Sequence, residues 1–262
     1  MQVVKRSGQR EDYDPRKTIA AVIRSGVPED EAEGIVRALE AHLYDGITTE
    51  EIYRRVHQML QGRKAARYSL KKALLRLGPE GENFEYYVAR LFQAEGYRTR
   101  TRLILNGHCT SHEVDVLMDK GEERVMVECK FHNSLGIKSN IQCALYVYAR
   151  FLDLRESEDL DRPALVTNTR FSLDATRYAE CMGMDLLGWR TPEESGIETL
   201  AKRHRLFPIT SLEMRRSDQA TLLAHRFIVV DDVLARTKDV RQLLPPDSAD
   251  QIMAQAKDFL SF

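Results

Sequence analysis

Apolar and polar positions divide the chain into three stretches. Up to Leu77 the apolar residues recur at helical spacing: Ile19, Val22 and Ile23, then Ala32, Ile35, Val36, Leu39 and Leu43, then Ile52, Val56 and Leu60. Val3-Val4 predicts a short strand turned by Ser7-Gly8. Asp14-Pro15 starts a helix, with Asp14 as cap and Pro15 at the first helical position. A second helix is expected over about 29–43, a third capped by Thr48 or Thr49, and residues 61–77 continue as helix.

Gly78-Pro79-Glu80-Gly81 breaks the pattern and marks a domain boundary. Beyond it, Phe84, Tyr87, Val88, Leu91 and Phe92 form one face of a helix ending near Ala94. Strands follow near 97–105, around Asp115 and around Glu128, then a helix over 140–154 and a buried strand at Ala164–Thr167. Ser172 or Asp174 starts another helix, and Met184–Trp189 is a last strand. The order α-β-β-β-α-β-α-β over 82–189 predicts an α/β domain with a mixed sheet flanked by helices. The remainder is mostly helical. Leu243-Leu244-Pro245-Pro246 with Ala249, Ile252 and Ala256 has the outline of a helix–hairpin–helix, but lacks the glycines such a hairpin uses against phosphate, so a packing role is expected. The expected domains are residues 1–77, 78–190 and 191–262.

Composition narrows the class. With 43% hydrophobic and 30% charged residues and a net charge of −1, the chain has no global positive field, so any nucleic-acid surface is a local patch. Arg63, Lys64, Arg67, Lys71, Lys72 and Arg76, with no acid in 61–77, are one candidate; a solvated helix face is the other reading of them. No apolar run approaches the roughly 18 residues of a membrane span. The start, Met-Gln-Val-Val-Lys-Arg-Ser-Gly, has no signal-peptide core. Cys109, Cys129, Cys143 and Cys181 show no CxxC spacing, so neither zinc nor a disulfide framework is expected, and a reduced cytoplasmic protein is.

The chemistry concentrates in two strands, His112-Glu113-Val114-Asp115-Val116-Leu117 and Val125-Met126-Val127-Glu128-Cys129-Lys130. Side chains alternate along a strand, so Met126, Glu128 and Lys130 share one face, expected to be polar, and Val125, Val127 and Cys129 the other, expected to be core. Asp115, Glu128 and the backbone carbonyl of Cys129 offer hard oxygens to a magnesium or manganese ion. A metal so held lowers the pKa of a bound water, and Lys130 orients the nucleophile and steadies developing charge. An ion pair on an exposed sheet face is the competing reading. His112, at the start of a strand, reads as a surface residue rather than a metal ligand, and a phosphate contact by His132, just past Lys130, is the less favoured reading of that residue. Gln142 and Tyr146, four apart, share a helix face.

Together, Gly81-Glu82-Asn83-Phe84-Glu85, Glu113-Val114-Asp115-Val116, Val127-Glu128-Cys129-Lys130 and Gln142-x-x-x-Tyr146 resemble the PD-(D/E)XK nuclease superfamily, and within it the Mrr-like restriction endonucleases. The resemblance covers 81–190 and implies metal-dependent hydrolysis of double-stranded DNA. It places Asp115 and Glu128 as metal ligands and Lys130 as the catalytic lysine. It makes Glu85 a helical acid supporting metal or water, and Gln142 a contact to the site or the DNA backbone.

Val4-Lys5-Arg6-Ser7-Gly8, Tyr13-Asp14, Lys17-Thr18-Ile19 and Ala66-x-Tyr68 resemble the ATP-cone, a nucleotide-binding regulatory domain. Lys5, Arg6 and Lys17 are then the phosphate contacts, with ATP or dATP as effector. No GxxxxGK[ST] motif accompanies them, so sensing rather than a motor is implied. The expected function is a nucleotide-regulated DNA endonuclease of restriction or defence, acting as a dimer or higher oligomer. The alternatives are a nucleotide-sensing DNA-binding regulator with an inactive nuclease fold, and a structure-specific repair nuclease.

Overall fold

The computed structural model describes residues 1–60, 62–79, 81–134 and 136–260, apart from the side chains of residues 62–64, 66 and 67. The side chains of Arg63, Lys64 and Arg67 of the basic strip, and Glu80 of the breaker, thus lie outside what is described. The chain divides into two compact units, Met1–Lys71 and Lys72–Leu260.

In the first unit, β1 (Gln2–Val4) pairs antiparallel with β2 (Arg10–Asp12) and parallel with β3 (Ile47–Thr48). The β1–β2 turn uses Gly8 at φ +82°, a backbone conformation open to glycine. Helices α1 (Pro15–Ile23), α2 (Glu29–Glu40) and α3 (Thr49–Met59) pack Val22, Ala32, Leu39, Ile52 and Val56 around Val3 and Ile47. The Asp14 carboxylate accepts from the Arg16 amide at 3.1 Å and caps α1. The Thr48 hydroxyl accepts from the Glu51 amide at 3.1 Å, which selects Thr48 over Thr49 as the cap of α3. Helix α4 (Gly62–Leu75) leads the chain into the second unit.

The second unit opens with α5 (Glu82–Ala94), β4 (Arg98–Asn106), β5 (Ser111–Lys120) and β6 (Glu123–Lys130). Then come β7 (Lys138–Ser139), α6 (Ile141–Leu154), β8 (Arg162–Thr167), β9 (Arg170–Phe171), α7 (Leu173–Met182) and β10 (Asp185–Leu187). Among the described residues the main sheet has the order β10-β8-β6-β5-β4, parallel from β10 to β6 and antiparallel from β6 to β4. The short strands β7 and β9 form a separate parallel pair. Asn140 caps α6, and Ser172, not Asp174, caps α7.

Helices cover both faces of this sheet. Leu117, Met126 and Leu165 pack under Ala144, Val147, Phe151 and Leu154 of α6 and Ala175 and Ala179 of α7. Val116 and Val127, one residue out of phase, are equally buried, and α5 packs on β4, β5 and β6 through Tyr87, Val88 and Leu91. The expected polar face of β6 is therefore corrected. Met126 is 1% exposed, and the strand becomes accessible only at its last residues, Glu128 to Lys130.

The rest of the unit is α8 (Ile197–Arg203), α9 (Arg216–Ala224), α10 (Val230–Ala235), α11 (Thr237–Leu243) and α12 (Pro246–Leu260). Helices α11 and α12 are joined through Leu244-Pro245, and Val240, Leu244, Ala249, Ile252 and Ala256 are buried, a packing arrangement. These helices are tied to α5. The Tyr87 hydroxyl donates to the Leu206 carbonyl at 2.8 Å, and Arg90 pairs with Asp232 at 2.9 Å. Asp232 also accepts from the amides of Ile228 and Val229.

Candidate active site

The β5–β6 ladder runs from Lys120↔Glu123 to Val116↔Val127. The next residues in register are Asp115 and Glu128, and there the ladder ends. The Asp115 carboxylate takes the place of a strand partner by accepting from the Cys129 amide at 2.7 Å. On its other side the β4–β5 ladder passes over Arg102, which sits at φ +54° opposite Asp115. A non-glycine residue in that region signals a locally re-aimed strand. β6 meanwhile stays paired with β8 through Lys130↔Thr167. The sheet is thus splayed around Asp115.

Two helices send side chains to this place. Arg150 of α6 forms an ion pair with Glu128, and it donates to the Glu113 carbonyl at 2.8 Å and the Tyr146 hydroxyl at 3.1 Å. Its guanidinium lies 4.9 Å from the centre of the Tyr146 ring. From α5, Glu85 has its Oε2 buried with no hydrogen-bond partner. Arg102 faces Glu82 at 3.5 Å and both Glu85 and Glu113 at 3.8 Å, the range of an ion pair rather than a hydrogen bond.

Crowding shifts the acids. Burial first, then the neighbouring Asp115 charge, pushes Glu85 up to about 7. The same two causes in the same order push Glu128 up to about 7, in spite of Arg150. Burial also raises Asp115, with the Cys129 amide pulling the other way. Three half-buried carboxylates that resist sharing negative charge form a donor set of hard oxygens that a divalent cation would relieve. As they stand, however, no three or more His, Cys, Asp or Glu among the described residues are placed so as to hold a metal ion together. Glu128 is held by Arg150, and Asp115 by the Cys129 amide.

The residues singled out from sequence are distributed as follows. Asp115, Glu128 and Glu85 are brought together, with the Cys129 backbone between Glu128 and Lys130. Lys130 is exposed at the strand end, close enough to Glu128 to lower its pKa. Gln142 and Tyr146 are exposed on α6, eight and four residues ahead of Arg150 respectively. Arg150 itself was missed, although Gln142-x-x-x-Tyr146-x-x-x-Arg150 continues the same helical stripe. His112 pairs with Asp153 at 2.7 Å, which also accepts from the Cys109 amide at 2.8 Å, so it fastens the β4–β5 hairpin to α6. His132 bonds Ser139 at 3.0 Å and anchors a loop.

In the first unit, Lys5 and Lys17 converge, but on an acid: Glu11 lies 2.6 Å from Lys5 and 3.6 Å from Lys17. The hydrogen bond from Lys5 holds the Glu11 carboxyl below its usual range. Arg6 is exposed in the turn. Of the basic strip, Arg76 is exposed but donates to the Thr210 carbonyl.

A mixed sheet between helices, splayed where its acids gather, is a fold of the restriction-endonuclease-like class. The profile described as restriction endonuclease, of the Mrr catalytic type, matches residues 78–188, and that described as ATP cone domain matches residues 1–77. An uncharacterized protein of Archaeoglobus fulgidus is 37% identical over 172 residues, 65% of this chain and 98% of that one. The crystal structure of a protein of unknown function, AF1548, is similar with a TM-score of 0.63 and 35% identity, covering 69% of this chain and 98% of the other. A weaker likeness, TM-score 0.39 and 16% identity over 71% of this chain and 39% of the other, is to the MspJI restriction endonuclease in complex with a 27-mer oligonucleotide. Residues 78–188 thus belong to the Mrr-type restriction endonuclease family, and residues 1–77 ahead of them to the ATP-cone family. Among the described residues no helix is long and apolar enough to cross a membrane.

Two predictions concern the acids in metal-free buffer. Glu85 has a folded pKa of about 7 against 4.5 for the free group, so the native state binds more protons between those values, and stability falls as pH rises through that window. Glu85→Gln is expected to flatten the fall of melting temperature between about pH 5 and pH 8; an unchanged slope would show the acid is not perturbed. Arg150→Met is expected to lower stability by about 1–3 kcal/mol, because a desolvated carboxylate loses its partner. Combined with Glu128→Gln, the loss should be smaller than the sum of the single losses. Strict additivity in denaturant titrations would mean the pair is not coupled.

Proposed function

We propose that this protein is a divalent-metal-dependent DNA endonuclease whose cone binds ATP or dATP and thereby sets cleavage rate or oligomeric state, with a role in restriction or defence. The observation that carries the nuclease reading is the gathering of Glu85, Asp115 and Glu128 from α5, β5 and β6 into one desolvated place beside Lys130. The domain division proposed with it is 1–77 for the cone, 78–190 for the nuclease domain and 191–262 for a helical region that packs on the nuclease domain.

In this reading the carboxylates of Asp115 and Glu128 and the carbonyl of Cys129 hold magnesium or manganese. Bound there, the ion supplies an acidified water and neutralises phosphate charge. Asp115 is oriented by the Cys129 amide, so its second oxygen stays available. Lys130 projects from the strand end, where a phosphate can approach, and steadies the charge that develops on it. Glu85, its carboxyl raised toward neutral pH by burial, takes up or releases a proton at Oε2, which has no hydrogen-bond partner. Gln142, exposed in the first turn of α6, contacts the DNA backbone. In the cone, Lys5, Arg6 and Lys17 contact the triphosphate, which requires Glu11 to give up its two lysines.

Purified protein incubated with plasmid and magnesium or manganese is expected to nick or linearise it. Asp115→Ala should lower the rate by a factor of at least about 10³, as loss of a group acting at the transition state does. Full cleavage by a folded Asp115→Ala protein would reject the site. For the cone, Glu11→Gln frees both lysines and should tighten ATP or dATP binding several-fold by calorimetry, while Lys5→Ala with Arg6→Ala should remove it. Weaker binding in Glu11→Gln would mean that the acid orients the lysines rather than competing for them.

A further inference from the structure

The site opens at the carboxyl ends of the parallel strands β6 and β8, and the loops leaving those ends have an unusual charge. Residues 129–152 and 162–173 contain no Asp or Glu, in a chain with 40 acids among 262 residues. The first acid after Arg170 is Asp174, in the first turn of α7. These loops form the β7–β9 pair, whose register sets Lys138 against Arg170. Both are exposed, and no ion pair joins either to a described residue. Nearer the acids, by contrast, Arg102 and Arg150 are each paired with carboxylates. Two like charges in register on neighbouring strands repel each other, moderately so through solvent.

The loop backbones next to the two cations are tied to each other. The His132 amide donates to Asn168 at 2.8 Å, and the Asn168 side chain donates back to the His132 carbonyl at 2.8 Å. The Ser172 amide donates to the Ser139 carbonyl at 2.9 Å, and the Thr167 hydroxyl to the Lys130 carbonyl at 2.8 Å. Ser139, Thr167, Asn168 and Thr169 are at most 3% exposed. A buried, satisfied polar network of this kind fixes geometry. Here it ties the loop that follows Lys130 to the loop that carries Arg170. The alternative basic surface, the α4 strip, is less suited: Arg76 is spent on the Thr210 carbonyl, and Lys71 and Lys72 have partners.

We propose that the β7–β9 pair, through Lys138 and Arg170, is a seat for the phosphate backbone of duplex DNA, leading it to Lys130. The proposal rests on the nuclease reading and adds to it the surface by which substrate is held. A polyanion of regular phosphates relieves the repulsion between the two cations and meets no acid on the approach.

The test is salt-dependent binding of the full chain to a short labelled DNA duplex, followed by fluorescence anisotropy in EDTA. Each phosphate contact contributes about 0.9 to the slope of log K against log salt, so Lys138→Ala with Arg170→Ala should reduce its magnitude by about 1.8. Lys238→Ala with Arg241→Ala removes the same charge from α11 and should leave the slope as in the wild type. Thermal melting checks that both variants stay folded. An unchanged slope in the loop variant, or an equal drop in both variants, overturns the proposal. So does tighter binding of an RNA duplex than of DNA by the wild type. A wild type that cuts plasmid while the loop variant keeps its slope rejects the seat alone. A wild type that neither binds nor cuts DNA rejects the nuclease reading with it.

Discussion

The hydrogen bond from the Cys129 amide to the Asp115 carboxylate is the constraint around which the second unit is arranged. It forms where the β5–β6 ladder stops, and it lets β6 continue alongside β8 while β5 turns away. A hydrogen bond to a charged acceptor is worth roughly 1.5–3 kcal/mol, enough to replace the ladder bond that the splay removes. Had the ladder continued, the Cys129 amide would be sought by a carbonyl and Asp115 would be left desolvated without a donor. The opening that results admits Glu85 from α5 and Arg150 from α6 to the same place, which no flat strand pair could do. Arg102, at φ +54°, is the counterpart distortion in β4, and it carries the second guanidinium toward the acids.

Local pattern could show which residues carry chemistry but not how they are screened. Glu128 and Lys130 at alternate positions, and Asp115 on a neighbouring strand, follow from strand periodicity alone. The polar face drawn for β6 did not hold, because period two separates two faces without saying what covers them. Helices lie on both sides, so Met126 is as buried as Val127. Glu128 escapes burial only by being near the strand's end. Arg150 depended on where α6 crosses β6, a tertiary fact, although its place on the Gln142–Tyr146 stripe was open to view. The C-terminal helices were harder still. Their anchors, Tyr87 to Leu206 and Arg90 to Asp232, join residues 119 and 142 apart in sequence, beyond any local signal. The basic strip at α4 read as one surface, yet the exposed Arg76 is engaged by the Thr210 carbonyl.

Both candidate sites share one electrostatic design. In the nuclease domain, acids expected to receive a cation are met by Arg150 and Arg102. In the cone, lysines expected to receive a phosphate are met by Glu11. A charged cluster left without counter-ions would have to be assembled against its own repulsion, and each internal partner removes much of that cost. A ligand therefore competes with a charge already in place. The competition differs between the two sites. Glu11 is accessible to solvent, so releasing it to water is cheap, and the lysines gain a stronger anion in exchange. Arg150 is largely buried and bonded to three groups at once, so moving it disturbs Glu128, the Glu113 backbone and Tyr146 together. Occupancy of the nuclease centre is accordingly bound to the position of α6, and α6 begins at Asn140, directly after β7. Any force that shifts the β7–β9 pair acts on the same helix that carries Arg150 into the carboxylates, which connects the proposed DNA seat to the charge balance of the site through a single element.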